Sequence, residues 1–180
     1  MSIVGISGSL RKGSYNTALL RAAQKLVPAD VELTVAEIGD LPMFNEDLEN
    51  SPTAAVTRFK AAVAAADAVL FVTPEHNYSV PAALKNAIDQ GSRPPGKSVW
   101  AEKPIGLMSA SMGSLGGIRA HLQLRQMFSP MPVFHGGGPT ADVMVGSAHE
   151  RIKDGKLEPF TEKKVQEYLE LFAKWVRKQQ

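Results

Sequence analysis

At 180 residues, 44 per cent of them hydrophobic, the chain is long enough to bury a core and short enough to be one domain, 1–180. Its 20 basic and 18 acidic residues, a formal +2, are mixed along the sequence, which argues against nucleic-acid or anionic-membrane partners. With no cysteine, disulfides, thiol redox chemistry and cysteine-ligated metal are excluded as well.

The chain enters an apolar run, Ile3, Val4 and Ile6, almost at once, leaving no room for a signal peptide, so a cytoplasmic location is expected. The stretch 5–20, GISGSLRKGSYNTALL, then turns from this strand into a helix expected over 16–26. A strand that turns sharply into a helix leaves backbone N–H groups pointing outward where the dipole favours an anion. Gly8 and Gly13 lack the spacing of a dinucleotide-binding fingerprint, and Ser14-Tyr15 stands where a Walker loop needs Lys and a hydroxyl. What remains is a hydroxyl-rich loop with Arg11, suited to one terminal phosphomonoester, or else an ordinary turn with Ser14 or Asn16 capping the helix.

A turn at 28–30 leads to a second strand, in which Val31, Leu33 and Val35 alternate. A loop over 39–49 leads to Ser51-Pro52, read as N-cap and first helical residue of a helix reaching about Ala66. The apolar run over 61–72 is broken by Asp67 and does not span a bilayer. Residues 68–73 have no polar break and read as a strand covered on both faces. The polar loop 74–81 feeds a helix over 82–90, and a long connection runs to Lys103. A fourth strand (105–109), a glycine-rich loop (111–117), a helix (118–128) and a short fifth strand (132–135) follow. After an irregular stretch over 136–159, Thr161 caps a last helix with Val165, Leu169, Phe172 and Val176 on one side.

Strands alternating with helices predict a doubly wound α/β domain with a five-stranded parallel sheet and helices on both faces. In such sheets the strand-to-helix loops share the carboxyl edge. The first loop, the loop 74–81 and the loop 109–117 are therefore expected to be neighbours. The first suits a phosphate, whereas Glu75, His76, Asn77 and Tyr78 suit the edge and face of a flat heterocycle. Ser109 and Ser111 offer hydroxyls to a far edge. A phosphate at one end and a polar tricycle at the other describe flavin mononucleotide, which brings its own hydride chemistry. No triad, carboxylate dyad or metal cluster is visible, so no catalytic side chain is assigned.

The segments GSLRKGSYN (8–16), TPEHNYSVP (73–81), LKNAID (84–89) and SASMG-x-x-GG (109–117) resemble the NAD(P)H-dependent FMN reductase family of flavodoxin-like proteins, which includes bacterial quinone, azo and chromate reductases. They span most of the first 128 residues in the family's order. The resemblance implies a flavodoxin-like fold and FMN reduced by NADPH or NADH. It also implies a ping-pong transfer to a quinone, azo compound or similar small acceptor, and a homodimer or homotetramer. Ser9, Arg11, Ser14, Tyr15 and Asn16 would hold the FMN phosphate. Pro74, Glu75, His76, Asn77 and Tyr78 would line the ring, and Ser109, Ser111, Gly113 and Gly116 its pyrimidine side or the ribityl chain. His76 departs from the tyrosine the family often carries there and could titrate near neutral pH.

Several residues also have plainer readings. Glu75 is read as a backbone contributor, because hydride transfer to a flavin needs no general base. Arg119, His121 and Arg125 fall on one helix, either as a solvated or subunit-facing side or as a basic patch for a nucleotide phosphate. His135, Asp142, His149 and Glu150 lack metal-ligand spacing, and no metal is expected. Met43, Phe44 and Trp100 are packing or dimer contacts. An electron carrier of the flavodoxin kind is the alternative to an enzyme, although such carriers usually present a strongly acidic surface. A third reading keeps the fold but places another phosphorylated ligand in the cradle.

Overall fold

Strands β1 (Ser2–Ser7), β2 (Glu32–Val35), β3 (Ala68–Thr73), β4 (Ile105–Ala110) and β5 (Val143–Val145) form a parallel sheet in the order β2-β1-β3-β4-β5. The computed structural model describes residues 1–136 and 142–179. β3 is fully buried along its length, so both faces of the sheet are covered. Leu70 and Val72 face helices α1 (Tyr15–Leu26) and α6 (Pro159–Val176) in one core, with Leu19, Leu20 and Phe172. Val69 and Phe71 belong to the other core, formed with α2 (Ala54–Ala65), α3 (Ala82–Ser92) and α4 (Ile118–Met127). Each large apolar side chain buried in this way contributes roughly 1.5–3 kcal/mol.

Aromatic rings fill both layers. Phe71 stacks on Phe128 at 5.1 Å and meets Trp100 at 5.7 Å on one side of the sheet. Phe134 meets Tyr168 edge-on at 5.3 Å on the other. Trp100 is therefore local packing: its indole N–H donates to the Ile88 carbonyl at 2.9 Å. Helix α3 approaches this ring so closely that a Cβ on Gly91 would fall 2.5 Å from it.

Three boundaries differ from the sequence expectation. Thr53, not Ser51, caps α2, because its hydroxyl stands three residues before the Val56 N–H it accepts from. Glu158 rather than Thr161 caps α6, with Pro159 at the first position; Thr161 instead donates its N–H and hydroxyl back to the Glu158 carboxylate. The fifth strand is 143–145, not 132–135. Residues 132–134 bond β4 only at Ile105, through an isolated bridge at Val133, while β5 pairs with Met108–Ala110 on the same edge. Between the two pieces the Tyr168 hydroxyl accepts the Leu107 N–H at 2.8 Å, supplying the acceptor that neither piece provides.

The stretch expected to be irregular also holds α5 (Ala148–Arg151) and a hairpin of β6 (Ile152–Lys153) and β7 (Lys156–Leu157), with residues 137–141 outside the described residues. Among the described residues, no helix is long and apolar enough to cross a membrane.

β1 and β3 are adjacent, yet α1 leaves β1 on one face and α3 leaves β3 on the other. Their loops diverge and open a crevice at the carboxyl edge, the place where ligands bind in open α/β sheets.

Candidate functional site

The crevice is a cleft of about 530 Å³, within the size range of small-molecule sites. All three glycine- and serine-rich loops reach it. From the first loop come Ser9, Arg11, Ser14, Tyr15 and Asn16; from the second, Pro74, Glu75 and His76; from the third, Ser111. Gly8, Leu10, Ala110 and Met112 complete the walls, with Pro81, Ala82 and Ala83 where α3 begins. Of these, Gly8, Leu10, Pro81, Ala110 and Met112 lie within the quoted motifs and Ala82 and Ala83 just beyond one; their side chains carry little chemistry, so the sequence did not mark them as ligands.

The first loop is shaped by its own hydroxyls. The Ser14 hydroxyl caps α1, accepting from the N–H groups of Asn16 and Thr17 at 3.2 Å each. Ser9 accepts from the Arg11 N–H at 3.4 Å, and Ser7 shares a 2.9 Å hydrogen bond with Thr17. The Arg11 guanidinium lies 5.3 Å from the Tyr15 ring centroid, a cation–π arrangement that orients it beside Gly13. Arg11 has no ion-pair partner among the described residues, which leaves a fixed cation at the cleft. The Asn16 side chain is buried and bonded to Ala110 through both its nitrogen and its oxygen, so it joins the first and third loops at the cleft wall.

The second loop is a two-residue hairpin. His76 and Ser79 exchange N–H···O bonds of 2.9 Å, and Asn77 and Tyr78 between them both have positive φ, 49° and 63°. That pairing is a type I′ turn, which asparagine accepts readily and tyrosine seldom does. Gln123 on α4 holds the turn from below, accepting from the Ser79 hydroxyl and the Val80 N–H and donating to the Tyr78 carbonyl. Asn77 and Tyr78 do not line the cleft itself; Tyr78 stands at its rim, 70 per cent exposed.

Glu75 accepts the Arg119 N–H at 2.9 Å and pairs with its guanidinium at 3.1 Å. It thereby caps α4, whose own N-cap, Gly117, has no side chain. The Arg119 guanidinium in turn lies 4.7 Å from the Tyr78 ring centroid. α3 begins at the cleft without a side-chain cap, so its first N–H groups are left to a ligand or water.

The third loop contributes less directly than expected. Ser109 is fully buried beneath Gly117 and its hydroxyl has no hydrogen-bond partner. The Gly113 carbonyl accepts from the Ser111 hydroxyl and the Ser147 N–H, and Gly116 packs against the main chain of Met144. Ser109, Gly113 and Gly116 thus do not line the cleft: Ser109 and Gly116 are buried beneath the loop, and Gly113 is exposed beside it.

Arg119, His121 and Arg125 do not form a common patch. Arg125 Nη2 lies 2.7 and 2.6 Å from the two Asp142 carboxylate oxygens, and buried His121 places Nε2 3.2 Å from the same carboxylate without good hydrogen-bond alignment. Burial works to raise the Asp142 pKa, but His121 and Arg125 together outweigh it and hold the carboxyl below its ordinary range. Among the described residues, His, Asp and Glu form no group that could hold a metal.

The NADPH-dependent FMN reductase family model matches residues 1–150. A quinone reductase of Pseudomonas putida is 44 per cent identical over 180 residues, covering 98 per cent of this chain and 95 per cent of its own. An NAD(P)H-dependent FMN reductase of Pseudomonas aeruginosa is 40 per cent identical over 186 residues, covering 99 and 96 per cent. Among solved structures, FerB, a flavoenzyme NAD(P)H:(acceptor) oxidoreductase of Paracoccus denitrificans, superposes with a TM-score of 0.87 at 32 per cent identity, covering 99 and 98 per cent. The chain belongs to the NADPH-dependent FMN reductase family and is an FMN-dependent oxidoreductase that uses NAD(P)H.

Proposed function

We propose that this family member passes electrons from NAD(P)H to quinones and comparable small acceptors, with the cleft between the β1 and β3 loops as its FMN site. The observation that carries this is the division of the cleft: the Arg11 guanidinium, without an ion-pair partner among the described residues, stands at one end and a loop of stacking groups at the other. The donor set fits FMN. Ser9, Arg11 and Ser14, with the Tyr15 backbone at the start of α1, suit its phosphate. Pro74, Glu75 and His76 and the uncapped start of α3 suit the ring, Glu75 through its main chain because its carboxylate is engaged by Arg119. Asn16 ties the first loop to the third through Ala110, and Ser109 and Gly116 pack beneath the third loop.

When bound, FMN supplies the chemistry, taking up a hydride and releasing electrons to an acceptor. The chain's own residues bind and orient it and keep water out; Leu10, Met112 and Tyr78, all more than half exposed, ring the mouth. That apolar rim supports a second subunit covering it, in a homodimer or homotetramer. An open rim of stacking groups also suits flat acceptors of varied chemistry, in keeping with relatives named quinone reductase. The chain 1–180 is taken to act as one domain in the cytoplasm.

The test is an absorbance spectrum of the protein desalted after incubation with FMN, before and after anaerobic NADPH and then a benzoquinone. Flavin bands that persist, bleach and return are expected. Bands that persist but bleach with neither NADPH nor NADH would replace the enzyme by a carrier.

A further inference from the structure

Beyond Ser14 and Tyr15 lies a second cavity of about 440 Å³, which shares those two residues with the cleft. Lys12, Arg21 and Lys25 line it, and Asp154 is the acid on its wall. Arg58, Lys85, Arg119, Arg125 and Arg177 each have a carboxylate partner; Lys12, Arg21 and Lys25 have none among the described residues. Arg21 and Lys25 stand four residues apart on α1, where like charges repel. The tip of the β6–β7 hairpin, Asp154-Gly155, closes the cavity, and Lys153 and Lys156 on either side of that tip add positive charge. Ile152 and Leu157 anchor the hairpin in the core beside α1, so the wall is fixed in place. A chain whose overall charge is nearly balanced therefore gathers three cations against one acid next to its phosphate cradle.

We propose that this cavity is a second phosphate subsite, contiguous with the cradle, which takes the adenylate half of a flavin dinucleotide, so that the chain holds FAD as well as FMN. The proposal rests on the reading of the first cleft as the flavin site. A phosphate joined to the flavin phosphate by one bridging oxygen would leave the cradle on the side of Tyr15 toward Lys12, with Arg21 and Lys25 further along α1 facing the rest of the adenylate. Ala18 and Ile152 provide apolar surface for a base. A nicotinamide dinucleotide carries the same pyrophosphate chemistry, and the experiment separates the two carriers.

Deflavinated protein is titrated with FMN and with FAD, following flavin fluorescence, for the parent and for the triple variant Lys12→Ser, Arg21→Ser, Lys25→Ser. The FMN-loaded forms are titrated with NADP⁺. The expected result is that the parent binds both flavins, and that the variant weakens FAD about tenfold or more while changing FMN by less than about threefold. Equal weakening of both flavins would mean a general field effect and overturn the subsite. A parent that binds FMN but not FAD overturns it while leaving the flavin site standing; a parent that binds neither shows that the first cleft was misread. Loss of NADP⁺ affinity with FAD unchanged would transfer the cavity to the nicotinamide dinucleotide and overturn the flavin assignment. Should the triple variant fold poorly, Lys25→Glu alone, checked by circular dichroism, must show the same selective loss of FAD.

Discussion

Asn16 and Ala110 are joined by a pair of hydrogen bonds: the Asn16 Nδ2 donates to the Ala110 carbonyl and its Oδ1 accepts the Ala110 N–H, each at 2.9 Å. β3 pairs with β4 only as far as Thr73–Ser109, so the side-chain amide serves Ala110 as the next peptide of β3 would. Replacing Asn16 by Ala leaves a buried N–H and a buried carbonyl without partners, at about 1–3 kcal/mol each. At roughly 2–4 °C per kcal/mol for a chain of this size, the melting temperature should fall by about 4–24 °C. A drop below about 2 °C by differential scanning calorimetry would mean that the clamp contributes little.

Arg11→Ala should weaken FMN binding by about 10- to 100-fold, since hydrogen bonds to a charged group contribute about 1.5–3 kcal/mol. Arg11→Lys should recover part of the loss, because it restores the charge without the guanidinium fork. Titration of the deflavinated variants measures both. FMN binding to Arg11→Ala as tight as to the parent would remove the first loop from the phosphate site.

The edge of β4 makes a separate prediction, remote from the cleft. Tyr168→Phe keeps the ring but strands the buried Leu107 N–H, so unfolding free energy should drop by about 1–3 kcal/mol in urea titration with flavin binding unchanged. Full burial raises the Tyr168 pKa, so the hydroxyl stays protonated through the neutral range. An unaltered urea midpoint would show that another group satisfies Leu107.

Acid should unfold the protein partly through Asp142 and Asp67. The Ser2 N–H, 2.7 Å from the Asp67 carboxylate, is the chief reason that its pKa is lowered. For Asp142 the effects of His121 and Arg125 exceed the opposing effect of burial. A carboxyl whose folded pKa lies below its unfolded value of about 3.9 stabilises the fold above that value and loses the contribution as pH falls through the folded pKa. Urea midpoints at pH 7, 5 and 3 should therefore decline most between pH 5 and pH 3. Asp142→Asn should be less stable at pH 7 and decline less over that interval; parallel declines would absolve Asp142.

Glu75→Gln distinguishes a cap from a general base. The glutamine carbonyl can still accept the Arg119 N–H, so NADPH turnover should stay within about threefold of the parent and its pH profile should keep its shape. A loss of 100-fold or more, on the scale of removing a general base, would make the carboxylate a participant in proton transfer.

Much of the fold was legible in the sequence because hydrophobic patterning reports burial directly. The unbroken run Ala68–Thr73 is indeed buried on both faces, and Val165, Leu169, Phe172 and Val176 all lie in one core. The fifth strand was misplaced because 132–135 and 143–145 are equally short and apolar, and only the pairing along β4 distinguishes them. The three loops that meet at the cleft were legible from glycine and serine content and from the rule that strand-to-helix loops share one edge. Which way each residue points was not. The engagement of Asn16 with Ala110, Glu75 with Arg119 and His121 with Asp142 depends on partners 94, 44 and 21 positions away in sequence. The cations of the second cavity were hidden by a balanced total charge, since Lys12, Arg21 and Lys25 come together with Asp154 only through the fold.

The turn at Asn77–Tyr78 bears on how such a protein diversifies. Its course is set by the reciprocal His76–Ser79 main-chain bonds and by Gln123 beneath, so the outward side chains at 76 and 78 are not what holds it. Position 78 even disfavours a bulky residue, because φ there is 63°. On the proposed reading of the cleft, exchanges at these two sites would leave the scaffold intact while altering the surface an incoming acceptor meets, so acceptor preference could change there without compensating changes in the core.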